Sequence, residues 1–400
     1  MSDRLSQCPH QTSLRSFVDR DPYDAYDAAA RATAVSWDES FGGWVVLRYA
    51  ECAHVLKEAD TFPMPWNLLD GGHLALGKYG IFNLTGTPHG IMHKYLLDYF
   101  NPRKNKELQP LVRKLVAESL DRVAVRPSFD FVIDVAERVP GMMAFGFLGI
   151  PPDEDSLRPI HEANHALQLY MQSYGDSAET VEKLRAAHRM LEPYFGPTIE
   201  ARKTVRANDL ISLLWNLSDG HRDWGHDEMI AQCLFYFGAS FGNTASALAN
   251  TAYYLLSDAS IYRKLTERPE RIDIFADEVL RAWAAVQFRI RVSTVDTELG
   301  GQHIAKGDRL ILAVGAANRD GTVFPAPADL DLDRSNTRRH LTFGLGPRYC
   351  VGATLARLET EELVRALIER YDTLTVTSRP PRFTGFNYRV FEPLIISTRH

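Results

Sequence analysis

The residue with the most chemistry around it is Cys350. It lies in HLTFGLGPRYCVGATLARLE (340–359), where Phe343, Gly346, Cys350 and Gly352 form the pattern FxxGxxxCxG. Glycines let backbone N–H groups approach a sulfur, and those groups stabilise a thiolate and tune its donation. Gly352 opens a helix whose N-terminus also favours an anion. The pattern predicts a thiolate ready to coordinate a metal centre; an inert buried thiol, the usual fate of a lone cysteine, is the alternative. The other cysteines, Cys8, Cys52 and Cys233, form no CxxC pair and are too scattered for a disulfide framework, which suits a reducing cytoplasm.

Two further spacings matter. Glu278 and Arg281, in DEVLRAW (277–283), stand three apart and share one helix face. His89 and His93, in PHGIMHKYLLDYFNP, stand four apart on another. The histidines could also suggest a metal pair, but no third ligand or HExxH context accompanies them.

The elements that must position these residues are mostly helices. Apolar residues recur at helical spacing in 107–123 and 177–195, and a final helix is expected from 352 to 371. In 228–258 they surround the helix, which predicts a buried central one. Gly238 and Gly242 inside it imply either close packing or a helix opened locally beside a ligand. WVVLRY (44–49) reads as a buried strand followed by a helix at 50–59, and 287–317 switches to short strands with glycine turns. The fold class is mainly α (α+β). With no linker or repeat, one domain spans 1–400, β-rich near 30–60 and 285–400 and helical over 88–281.

Composition narrows the function. A net charge of −6 argues against a nucleic-acid binder, and no run of 18 apolar residues predicts a membrane span. The polar N-terminus has no secretory h-region. A cytoplasmic monomer is the simplest expectation.

With these motifs, the chain resembles the cytochrome P450 superfamily, of the soluble bacterial type, over nearly its whole length. The resemblance implies a helix-rich triangular prism with small β-sheets around a buried haem b. It makes Cys350 the axial thiolate of the haem iron and Phe343 the aromatic packed beside the sulfur. Gly344 and Ala239 join the haem-binding set, and His89, His93, Arg291 and Arg348 become candidates for the haem propionates. The family commonly has Arg where His93 stands, and Lys94 is an alternative there. Glu278, Arg281 and Arg334 become a structural Glu–Arg–Arg network. ANRD (317–320) also matches, with Gly321 where proline is usual.

The central helix departs from the family, which places an acid and a threonine there. The best alignment puts Gly242 at the acid, Asn243 at the threonine, and Ala239 and Ser240 at the small pair. A one-residue shift nominates Thr244 instead and still leaves no acid. Asn243 can donate and accept hydrogen bonds, so it could manage dioxygen or a water. Position alone nominates Met64, Trp66, Leu68, Phe82, Ser240, Val286, Phe288 and Tyr388 as substrate contacts, with His165, Gln168 and Tyr170 in a second variable region. Asn at this site, and VSWDESFGGWVVLRYAE, point weakly to bacterial terpene hydroxylases.

The resemblance implies a monooxygenase acting on a hydrophobic small molecule, with electrons from a ferredoxin and its ferredoxin reductase. Arg103, Lys104, Lys106, Arg113 and Lys114, with Arg338, Arg339 and Arg348, would steer the acidic partner. The alternatives are a non-hydroxylating oxidation (coupling, desaturation or rearrangement) and a haem protein without turnover.

Overall fold

The computed structural model describes residues 21–68, 77–151, 154–155, 157–159, 162, 178–218, 224–377, 383–384, 387, 389–391 and 393–398. Its helices are α1 (Tyr23–Ala32), α2 (Tyr49–Lys57), α3 (Gly86–Tyr99), α4 (Pro102–Ala124), α5 (Arg138–Leu148) and α6 (Ala178–Thr204), then α7 (Leu210–Ser218), α8 (His226–Ser257), α9 (Ala259–Glu267), α10 (Ile272–Ala282), α11 (Val314–Ala317) and α12 (Ala353–Glu369). The strands are short: β1 (Val35–Asp38), β2 (Gly43–Val46), β3 (Ser128–Asp130), β4 (Phe288–Val292), β5 (Thr297–Leu299), β6 (Gln302–Ile304), β7 (Arg309–Ala313), β8 (Leu374–Val376), β9 (Phe383–Thr384), β10 (Val390–Phe391) and β11 (Ile395–Thr398). This is the helix-rich α+β class that the patterning predicts.

The chain forms two compact units. One comprises Met1–Met64, Val116–Ala136 and Asn243–His400; the other comprises Pro65–Leu115 and Glu137–Gly242. The first carries every described strand. Its main sheet has the order β1-β2-β7-β4, with β2 parallel to β7 and the other pairs antiparallel. Beneath it lies a core of Val35, Val46, Val55, Leu56, Phe62, Leu310, Leu312 and Leu341, against which Leu345 packs. That core fixes both α2 and the start of the loop that ends at Cys350. Strand β4 reads FRIRV, an alternation that should leave its arginines in water. Arg291 is nevertheless only 6% exposed.

The second unit is helical. In α6, Ala187, Leu191, Phe195 and Ile199 recur every four residues and are all buried. The sequence pattern stops this helix at 195, yet it continues to Thr204 through Pro193 and Pro197. Burial of that one face outweighs the lost backbone bonds. Helix α8 runs unbroken past Gly238 and Gly242, in keeping with the close-packing alternative for those glycines rather than a local opening. Among the described residues, no helix is long and apolar enough to cross a membrane.

The Glu278 carboxylate, fully buried in α10, organises the chain ahead of the Cys350 loop. It accepts from Arg281 Nε at 2.7 Å and Nη2 at 2.9 Å, Arg334 Nε at 2.9 Å, Thr337 Oγ1 at 2.8 Å and the Asp331 N–H at 3.0 Å. Burial pushes its carboxyl up, but Arg281, Arg334 and Thr337 outweigh that and lower it. Arg281 also donates to the carbonyls of Asn318, Pro327 and Asp329. Asn318 in turn reads the Cys350 loop: its Oδ1 accepts the Leu341 N–H at 2.6 Å, and its Nδ2 donates to Thr342 Oγ1 at 2.9 Å. The sequence brings Glu278, Arg281 and Arg334 together as expected, and Asn318 carries their rigidity to the loop. Glu278→Ala would strand two buried guanidinium groups and should cost about 3–5 kcal/mol. Urea unfolding reads this as a large fall in midpoint with an unchanged slope, and a wild-type midpoint would remove Glu278 from this role.

Candidate functional site

The loop before α12 is shaped by backbone. Gly344 and Gly346 have φ of +74° and +72°, which side chains disfavour, and a Cβ on Gly346 would lie 3.0 Å from Lys57 Cα and 3.1 Å from Leu56 O. The turn closes when the Cys350 N–H donates to Phe343 O at 2.8 Å. Cys350 keeps accessible surface although it sits among dense protein mass, so one side of the thiol is not packed. Burial pushes the thiol up; the backbone N–H groups of Gly352 and Ala353 and the charges of Arg289 and Arg357 oppose it. Phe343 is buried in a small cluster with Ala247 of α8, Leu280 of α10 and Ala353 of α12. Cys52 and Cys233 are buried thiols pushed up by desolvation; Cys8 lies outside the described residues.

Near the loop, cations converge. Arg289 and Arg291 leave the same face of β4, and Arg289 Nη2 donates to Thr342 O at 2.7 Å. Burial first, and then the charges of Arg289 and Arg348, together lower Arg291 to about 9. Its Nε finds no hydrogen-bond partner. Burial likewise brings Arg348 to about 10, with Asp60 opposing. A buried guanidinium with cationic neighbours and an orphaned donor fits an anionic group such as a haem propionate. In the helical unit, His89 is buried on α3 and its ring stacks on that of His93 at 5.4 Å. Lys94 is exposed and paired with Asp98, so it does not replace His93. No group of three or more His, Cys, Asp or Glu able to hold a metal ion occurs among the described residues.

Helix α8 is buried for most of its length, but Ala239, Ser240, Gly242 and Asn243 retain surface on one side. Asn243 Oδ1 is buried without a hydrogen-bond partner, and Ser240 Oγ donates to Phe237 O at 2.9 Å. Thr244 is buried. Asn243 is thus the less buried of the two aligned candidates, although its Oδ1 is itself covered.

Of the substrate candidates, Trp66 and Phe82 meet. Their rings stack at 6.1 Å, the Trp66 indole N–H donates to Phe82 O at 3.1 Å, and Phe82 rests edge-on against Phe235 of α8 at 4.9 Å. Leu68 ends the same short helical turn, Pro65–Leu68. Met64 is buried beside Pro63, whose carbonyl accepts the Val292 N–H. Val286 is buried in the bend where Gln287 and Phe288 bond to Asn387. Phe288 is a correction: its ring packs against Tyr26 at 5.9 Å and Phe41 at 5.3 Å, so it belongs to the core beside α1. Lys104 is another, for it lies over the Tyr99 ring with its ammonium on Asn208 O, outside any open basic patch. Tyr388, His165, Gln168 and Tyr170 lie outside the described residues.

Several residues with a bearing on the site carry no motif. Arg289 hides in the alternation of β4. Arg357 sits over the Phe343 ring at 4.6 Å. Glu359 is fully buried in α12, where desolvation pushes its carboxyl up to about 8.

The family model described as Cytochrome P450 matches residues 272–390, the stretch from α10 to beyond Cys350. The "Biotin biosynthesis cytochrome P450" of Bacillus subtilis is 28% identical over 387 residues, covering 94% of this chain and 96% of that protein. Among solved structures, CYP109E1 from Bacillus megaterium in complex with testosterone has a TM-score of 0.83 at 23% identity, covering 97% of this chain and 100% of that one. Epothilone D-bound cytochrome P450epoK has a TM-score of 0.84 at 23% identity, covering 95% and 96%.

The loop geometry makes its own test. Gly344→Ala should cost about 1–2 kcal/mol for its left-handed backbone. Gly346→Ala should cost more, because its Cβ also crowds the α2 backbone. Equal thermal midpoints for the two variants would contradict this packing.

Proposed function

We propose that the chain, which matches the cytochrome P450 family model over residues 272–390 and is similar to such proteins over most of its length, is a haem-binding monooxygenase that hydroxylates a hydrophobic small molecule, of terpenoid or other secondary-metabolite size, with electrons from a ferredoxin and its reductase in the cytoplasm. The observation that carries this reading is the Cys350 loop: a thiol open on one side, pushed up by burial, with two backbone N–H donors and two arginines opposing that push. When bound, a haem with a thiolate ligand activates dioxygen for insertion into a C–H bond.

The protein's own residues do the rest. Cys350 would supply the sulfur that holds the haem iron, and Phe343 would shield it. Arg291, Arg348 and Arg289 would offer charge to the propionates; His89 and His93 are the candidates for the same role on α3. Asn243 offers an amide at the exposed side of α8, where Gly242 supplies no acid. Its Oδ1 can hold a water and pass on a hydrogen bond, but it cannot deliver a proton of its own. Trp66 and Phe82 supply an apolar aromatic wall. The structural relatives, one in complex with testosterone and the other bound to epothilone D, support a bulky apolar substrate class.

The glycine at the acid position favours one second reading, an oxidation that needs less proton delivery, such as coupling or desaturation. Labelled dioxygen divides the two: hydroxylated product carries the label, and coupled or desaturated product does not.

The reduced, carbon monoxide-bound protein should absorb near the wavelength in the family's name, and Cys350→His should abolish that band; a band that survives the substitution overturns the ligand assignment. Asn243→Ala should lower the share of electrons recovered in product several-fold, with the band intact. Unchanged coupling would remove Asn243 from oxygen handling.

A further inference from the structure

Asp277 precedes Glu278 and is as deeply buried, yet it serves other partners. Neighbours on a helix point about 100° apart, so α10 sends Glu278 towards Arg281 and Arg334 and Asp277 towards α12. Asp277 Oδ1 accepts from Arg357 Nε at 2.6 Å and from His340 Nε2 at 3.3 Å, and Oδ2 accepts from Arg338 Nε at 3.0 Å. Arg357 is thereby held with its guanidinium carbon 4.6 Å from the centre of the Phe343 ring, and its Nη1 donates to the Tyr349 hydroxyl at 3.3 Å. Phe343 and Tyr349 flank the sulfur: the carbonyl of one closes the loop on the Cys350 N–H, and the other precedes Cys350 directly. Burial pushes the Asp277 carboxyl up, but His340 and Arg357 outweigh it and bring it to about 2, so the acid is an anion throughout the neutral range.

We propose that Arg357, clamped by Asp277 and seated on Phe343, is the positioning residue that sets the electrostatic field at the Cys350 sulfur, and with it the potential at which the bound haem accepts an electron. The inference rests on the thiolate reading of Cys350. A fixed cation near the centre stabilises the reduced form, which carries one more negative charge, and it acts strongly because protein screens poorly there. Asp277 opposes it from farther away while holding it in place. Phe343 keeps the guanidinium at a set distance, since a cation over a ring gains from the ring's negative face.

The sign of the response tests this. Reduction potentials would be measured on the haem-loaded protein for wild type, Arg357→Gln, Arg357→Lys and Asp277→Asn. The expected result for Arg357→Gln is a tenfold weaker ferrous form, about 59 mV downward for a one-electron couple. Arg357→Lys keeps the charge and should recover most of that loss. Asp277→Asn removes the opposing charge and should shift the potential upward. A packing role would move thermal stability and drive all three variants the same way. Shifts of one sign, no shift, or a Lys variant as low as the Gln variant would overturn the proposal. If Arg357→Gln does not retain haem, the Lys and Asp277→Asn variants still report the sign. A wild-type protein without the thiolate band overturns the underlying reading of Cys350 instead.

Discussion

The Cys350 loop can hold a sulfur in place because one buried carboxylate, Glu278, is saturated with donors. A buried charge is costly unless its partners are complete, and here they are supplied by Arg281, Arg334, Thr337 and a backbone N–H. The same arginine that neutralises Glu278 grips the Asn318 carbonyl, and the Asn318 side chain grips Leu341 and Thr342. Rigidity passes from helix to meander to loop by hydrogen bonds whose partners are all buried. The sheet side fixes the loop independently, through Leu341, Leu345 and the close approach of Gly346 to α2.

Charge is distributed in a way the isolated chain does not balance. Glu278 and Asp277 meet their cations within the protein, whereas Arg291 is buried with two other arginines acting on it.

How much of this was legible in the sequence depends on how local the signal is. Cys350, its glycines and the Glu278–Arg281 spacing were legible because turn geometry and helix phase are set by neighbouring residues. Arg334 was reached only through resemblance, since 56 residues separate it from Glu278. Asp277, Arg289 and Arg357 were not legible: each is a common residue whose role comes from a partner far along the chain. Phe288 was misplaced for the same reason, because periodicity assigns a face but not the neighbour that covers it. The extension of α6 through two prolines shows tertiary burial overriding local propensity. At α8 the sequence posed the choice between Asn243 and Thr244, and Asn243 is the less buried of the two.

Helix α8 keeps its hydrogen-bond ladder closed past Gly238 and Gly242. Its backbone therefore lends no carbonyl or N–H sideways, and the Ser240 hydroxyl is already turned back on Phe237 O. Among the described residues, that side presents one side-chain amide, on Asn243, and otherwise small side chains. Were a molecule to rest there, it would be chosen by the volume it fills more than by the groups it carries. Ala239 and Gly242 would then act as calipers: enlarging either would narrow the range of shapes admitted before it altered any polar recognition.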